Sequence, residues 1–304
     1  MTQRRVAAAL AILLAAAAGL SLLHVLTARP EPVIRAQSRQ LGALPELSVL
    51  PKLSAAQLAA LPEARYDAVI ATLLPAAGAA DAGTAYRLKK DAVVHAADRA
   101  TPIARLAARD FLGEPSVVVP VEYSGDWLRV LTPARQRLPS AGANSAGAGS
   151  FGAGPAGSNA LGALAPAQTS AWLRADSLSS PTMLVSRIIV SVSAQTLRII
   201  GVGNRTWPVG VGAPGTPTPV GVTGYLQARY RDAVQGQAEH PILLTSLHST
   251  AADEPFGGND GGLIGIHSQA SASGARSHGC IRVPLEALAA VDALPLGTLI
   301  TIEG

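Results

Sequence analysis

Cysteine is almost missing from this chain: of 304 residues only Cys280 carries a thiol, so no internal disulfide can form. Aromatic residues make up 4%, and much of the 48% apolar content is alanine. Side chains that bury large areas are therefore few, which predicts small cores. Charge is thin as well. Asp, Glu, Lys and Arg together reach 14%, the net charge is +4, and no basic stripe interleaved with aromatics is visible, so nucleic acid has no support as a partner. The length suggests about two domains plus extras, at roughly 150 residues per domain.

The N-terminus carries the localisation argument. Arg4 and Arg5 precede an uncharged apolar run from Val6 to Leu23, followed by His24, Arg29 and Pro30. A charged start and an apolar run are the pattern of an export signal, and at about 18 residues the run also approaches the length of a membrane span. Residues 1–28 read as a signal peptide or a membrane anchor, with Leu26-Thr27-Ala28 as a weak cleavage site. Arginines ahead of the run place the remainder outside the cytoplasm, in the cell envelope, membrane-anchored or secreted.

Residues 29–84 are rich in Ala, Leu and Pro, with Pro45, Pro51, Pro62 and Pro75 interrupting two short helical patterns at 54–61 and 66–74. This stretch reads as a stalk. From residue 85 to 178 short β-like runs take over: Ser116 to Tyr123, a turn at Ser124-Gly125-Asp126, Trp127 to Leu131, and Ala171 to Ala175. Residues 140–168 are nearly all Ala, Gly, Ser, Asn and Pro, a composition that cannot bury a core and reads as a disordered insertion. Residues 183–304 form the last domain. A hairpin is expected over 185–201 around Ala194-Gln195, followed by strands at Trp207, 242–247, 262–267 and 299–303. One helix is expected from Pro284, just after the cysteine. The predicted fold class is mostly β.

Cys280 sits in Ser277-His278-Gly279-Cys280-Ile281-Arg282, with His267 upstream. A thiol needs a nearby imidazole or positive group to act as a nucleophile at neutral pH, and two histidines are at hand. The ordinary alternative is a buried structural thiol.

Gly125-Asp126-Trp127-Leu128-Arg129-Val130, with Ala171-Trp172-Leu173, resembles a bacterial SH3-like barrel, a module often placed before cell-wall enzymes. A small β domain with core tryptophans explains the same residues. Ile264-Gly265-Ile266-His267, then Ser277-His278-Gly279-Cys280-Ile281-Arg282, preceded by Thr216-Pro217-Thr218-Pro219 and the glycine stretch at 256–262, resembles the YkuD-type L,D-transpeptidase catalytic domain. That resemblance implies a β-sandwich with one short helix and a cysteine enzyme that forms 3-3 cross-links between peptidoglycan stem peptides. No cofactor or metal is implied, and carbapenems are expected inhibitors. It also implies site roles. Cys280 is the nucleophile and His267 the base, while the Ser268 carbonyl orients the imidazole. Ser277 and His278 shape the site, and the Gly279 and Cys280 amides form an oxyanion hole. Arg282 and His248 are candidates for substrate binding.

Position 268 is Ser where many members of that family have Gly; serine still supplies the backbone carbonyl. The loop between His267 and His278 is shorter than usual, leaving the acceptor open: a stem peptide, a protein, water or a D-amino acid. Two other readings remain in view. One is a zinc-dependent peptidoglycan hydrolase using His267, His278 and Cys280 as ligands. The other is a catalytically degenerate, membrane-tethered wall-binding protein.

Overall fold

The computed structural model describes residues 52–76, 83–144, 164–231, 239–254 and 262–304, and residues 51–304 make one compact unit. The apolar run 6–23, the middle of the Gly/Ala/Ser insertion at 145–163 and the glycine stretch at 256–261 lie outside the described residues. Among those described, no helix is long and apolar enough to cross a membrane.

The N-terminal half of the unit is mostly β. Helix α1 (Ala55–Ala59) opens on a capping box in which the Ser54 hydroxyl accepts the Gln57 amide while the Gln57 side chain accepts the Ser54 amide. The second expected helix, at 66–74, does not form. Its residues run as turns into strand β1 (Leu74–Pro75), because Ile70 and Leu73 are buried in the β core and the Ile70 amide bonds to the Arg135 carbonyl. The stretch from 62 to 76, expected within a stalk, is thus packed structure: Ala64 is also buried, and its amide bonds to the Arg105 carbonyl.

Strands β2 (Thr84–Arg87), β3 (Ala92–His95), β4 (Pro102–Leu106), β5 (Val117–Val118), β6 (Pro120–Ser124) and β7 (Trp127–Thr132) follow. The β6–β7 hairpin closes through Gly125, whose positive φ of 57° suits glycine at the expected turn. After helix α2 (Pro139–Asn144) and the insertion come β8 (Thr169–Arg174) and β9 (Thr182–Met183). The insertion is ordered at both ends, with α2 at one and buried Ala165, Ala167 and Gln168 at the other. One sheet runs β4-β3-β8-β7-β6, with β1 added to β8; a small sheet runs β5-β2-β9. Alternation along β7 and β8 sends Leu128, Val130, Ala171 and Leu173 into one core, while Trp127 and Trp172 lie on the other face beneath Arg174 and Arg99.

The C-terminal half is a ten-stranded mixed sheet. It contains β10 (Arg187–Ser191), β11 (Thr196–Ile200), β12 (Arg205–Pro208), β13 (Gly210–Gly212), β14 (Val222–Tyr230) and β15 (Ile242–His248). It continues through β16 (Leu263–Ser268), β17 (Gly274–Ser277), β18 (Ile281–Val283), helix α3 (Leu285–Asp292) and β19 (Leu299–Glu303). The order is β12-β11-β10-β19-β14-β15-β16-β18-β13-β17. The expected β10–β11 hairpin is present, with a four-residue loop at 192–195 in place of the two-residue turn. Gln195 takes a positive φ of 52° there, and its side chain accepts the Gly274 amide at 3.0 Å. Helix α3 buries Ala287, Leu288 and Val291. Arg229 of β14 closes its C-terminal end, bonding the Asp292 carboxylate and the carbonyls of Asp292 and Leu294, as suits a cation at the negative end of a helix.

The two halves are fused through their cores. Ala85, Val119 and Leu131 cluster with Tyr225 and Leu299, and Tyr66 and Phe111 pack on Ala228, Leu244 and Leu263. Gln168 reaches across to accept the Ser246 hydroxyl at 2.6 Å. Arg135, fully buried, donates to the carbonyls of Ser249 and Asp253, both at 2.8 Å.

Candidate active site

Two strands and one turn build the site. β16 and β18 run parallel, with Ile266 opposite Ile281 and His267 opposite Arg282. Ile266 and Ile281 both enter the core, so His267 and Arg282 share the other face. Gly265 lies two residues before His267 on that same face. Its backbone N–H donates to the Cys280 Sγ at 3.4 Å. A methyl group on residue 265 would sit 3.9 Å from that sulfur and 3.0 Å from the Ile242 side chain, so glycine keeps the space beside the thiol open. The thiol is buried, with 7% of the residue exposed.

The His267 Nδ1 lies 3.3 Å from the Ser268 carbonyl oxygen. A carbonyl only accepts, so Nδ1 carries the proton and neutral His267 presents Nε2 as a base. Burial holds this imidazole below its ordinary pKa; the Ser268 bond opposes that effect and the charge of Arg282 adds to it. Arg282 is half-buried, and its buried Nε donates to nothing among the described residues.

The turn carrying Cys280 is braced from within and from outside. Ser277, buried, donates its hydroxyl to the Cys280 carbonyl at 2.6 Å and accepts the Gly279 amide at 3.1 Å. Gly279 has φ of 114°, and a Cβ there would meet Ile264 at 2.9 Å, so the turn requires glycine. From outside, Thr216 donates to the Ser277 carbonyl and Thr218 to the Gly279 carbonyl.

The expected residues are therefore only partly brought together. Cys280 and Ser277 share the braced turn, the Gly265 amide ties that turn to β16, and His267, with the Ser268 carbonyl at its Nδ1, lies opposite Arg282 on the adjoining strand pair. The Gly279 amide, expected in an oxyanion hole, is bonded to Ser277 instead. His278 is exposed on the turn. His248, expected to bind substrate, is buried at the seam with the N-terminal half, donating Nε2–H to the Tyr66 carbonyl at 2.8 Å. Burial there pushes its pKa down to about 3. The zinc reading finds no ligand set: among the described residues no three His, Cys, Asp or Glu side chains converge to hold a metal. Sequence reasoning missed Gly265, Thr216 and Thr218 as site residues.

Residues 186–302 match the sequence profile of the YkuD L,D-transpeptidase catalytic domain. This segment is an L,D-transpeptidase catalytic domain. A search of curated proteins returned no match. Among solved structures, the domain's chain is similar to L,D-transpeptidase 1 of Mycobacterium tuberculosis, with 20% identity and a TM-score of 0.29 over 45% of this chain and 78% of that one. It is similar also to L,D-transpeptidase 3 of Mycobacterium tuberculosis in complex with a faropenem-derived adduct, at 16% identity and a TM-score of 0.33, covering 78% and 98%. The catalytic domain of the E. faecium L,D-transpeptidase gives 20% identity and a TM-score of 0.27, covering 40% and 98%.

Proposed function

We propose that the L,D-transpeptidase domain is an active cysteine transpeptidase that joins peptidoglycan stem peptides by 3-3 cross-links, working outside the cytoplasm behind an N-terminal anchor or signal. The observation that supports this most is the Cys280 sulfur held by the Gly265 amide, on the sheet face where Nδ1-protonated His267 presents its base.

The steps follow from those groups. The Cys280 Sγ attacks the carbonyl carbon of the donor stem peptide as the His267 Nε2 takes the thiol proton. The tetrahedral intermediate collapses, the C–N bond to the terminal D-alanine breaks, and His267 returns the proton to the leaving amine. A thioester remains on Cys280. The acceptor amine then attacks it, His267 takes the amine proton, and the thiolate leaves and is reprotonated as the new amide forms. The Gly265 amide stabilises sulfur while it carries charge. Arg282, on the same face as His267, holds a substrate carboxylate. A β-lactam carbonyl offers the same electrophile, so a carbapenem acylates Cys280.

The test is incubation of the full-length protein with a disaccharide-tetrapeptide. The expected product is a cross-linked dimer lacking one D-alanine, absent with Cys280→Ala. D-alanine release without a dimer makes water the acceptor, and no release at all overturns the reading.

A further inference from the structure

Thr218 is 2% exposed, and its hydroxyl both donates and accepts. It donates to the Gly279 carbonyl at 2.7 Å and accepts the Gly212 amide at 2.9 Å. A hydroxyl has one proton, so the carbonyl takes it and the amide fills a lone pair. Strand β13, through Gly212, thus fixes Thr218, and Thr218 fixes the Gly279 carbonyl.

That carbonyl shares a planar peptide with the Cys280 N–H, and the chain has no cis bonds among the described residues. In a trans peptide the C=O and N–H point to opposite sides, so holding one aims the other. The adjacent amide, that of Gly279, is already turned to Ser277. The direction of the Cys280 amide, opposite the Gly279 carbonyl across that peptide, is therefore set by Thr218.

We infer that Thr218 is a positioning residue for acyl transfer at Cys280, holding the Gly279–Cys280 peptide so that its N–H meets the oxyanion of the tetrahedral intermediate; this rests on the transpeptidase reading. Thr216 is a weaker brace, because the Ser277 carbonyl it contacts at 3.1 Å also accepts the Ala213 amide at 2.8 Å.

Two reactions of one thiol separate this role from general support. Acylation by a carbapenem forms the Sγ–C bond, sends the carbonyl π pair onto oxygen and then breaks the lactam C–N bond. Alkylation by iodoacetamide forms Sγ–C and expels iodide, with no oxyanion. In the full-length protein, Thr218→Val is expected to slow acylation by about 10- to 100-fold, less than the roughly 100- to 1,000-fold cost of removing an oxyanion-hole donor because the N–H is misaimed and not lost, and to leave alkylation within about 2-fold. Thr218→Ser restores acylation to within about 3-fold, and Thr216→Val slows it by no more than about 3-fold. Should Thr218→Val not fold, the smaller Thr218→Ala must show the same split. Equal losses in both reactions, or unchanged acylation, overturn the inference while the transpeptidase reading stands. A wild-type protein that alkylates but is never acylated removes the reading itself.

Discussion

Arg135→Met tests whether the two halves of the unit fold as one. The wild-type guanidinium sits with none of the residue exposed and donates to the carbonyls of Ser249 and Asp253 across the seam. Methionine fills similar space, so the cavity cost is small, and it removes a buried charge whose desolvation was itself unfavourable. It leaves two carbonyls without that donor, at about 1–3 kcal/mol each. With the desolvation gain offset, the net loss is about 2–4 kcal/mol, a large part of the roughly 5–15 kcal/mol that holds a domain folded. The Arg135 backbone bonds to Ala68 and Ile70 survive the substitution, so the loss reports on the side chain. Urea unfolding followed by fluorescence reads both halves, since Trp127 and Trp172 lie in one and Trp207 in the other. A single transition is expected, shifted equally for all probes. A loss below about 0.5 kcal/mol, the scale of an ordinary surface change, or a shifted transition that leaves Trp207 unmoved, refutes the fused-core account.

Two predictions concern pH. His248 has its folded pKa depressed from 6.5 to about 3, so the unfolded chain binds the extra proton between those values. Its contribution is present above pH 6.5 and drains away as pH falls toward 3, on the order of 5 kcal/mol in all. His248→Gln, which keeps an N–H for Tyr66, should flatten that part of the stability profile; parallel profiles for both proteins contradict the assignment. His267 is also held below the ordinary imidazole value, so the acid limb of carbapenem acylation should lie below pH 6.5, and Arg282→Met should move it upward. An acid limb at or above 6.5 in the wild type contradicts the burial argument.

The C-terminal half was the more legible in sequence. Its β-branched runs gave β10, β11, β15, β16 and β19, and Pro284 marked the start of α3, because period and punctuation are local properties. The candidate site residues Cys280, His267 and Ser268 stand out for the same reason, lying in short segments of dense chemistry. What escaped depended on distant partners. The run 62–76 looks like a spacer by composition, yet Ile70 and Leu73 find a core built by β3, β4, β5, β7 and β8, all distant in sequence. His248 carries the residue type of a site but lies at the seam, fixed by Tyr66 some 180 positions away. Thr218 looked like part of a proline-rich loop, since nothing local reveals that its hydroxyl bonds residue 279. Gly265 had a visible signal: a glycine inside a strand pattern often marks a close approach.

The fused cores also change what a deletion means. Removing residues 85–178 to test a separate wall-binding module would expose Tyr225 and Leu299 and take away Arg135 and Gln168, so the remaining L,D-transpeptidase domain is expected to lose its fold with it.

The central claim is that Cys280 is an activated acyl-accepting nucleophile. Intact mass spectrometry of the full-length protein after incubation with a carbapenem tests it most directly. The account predicts a mass increase of one drug molecule on the wild type and none on Cys280→Ala. A folded wild-type protein with a reduced thiol and no adduct, or an adduct that persists in Cys280→Ala, contradicts it.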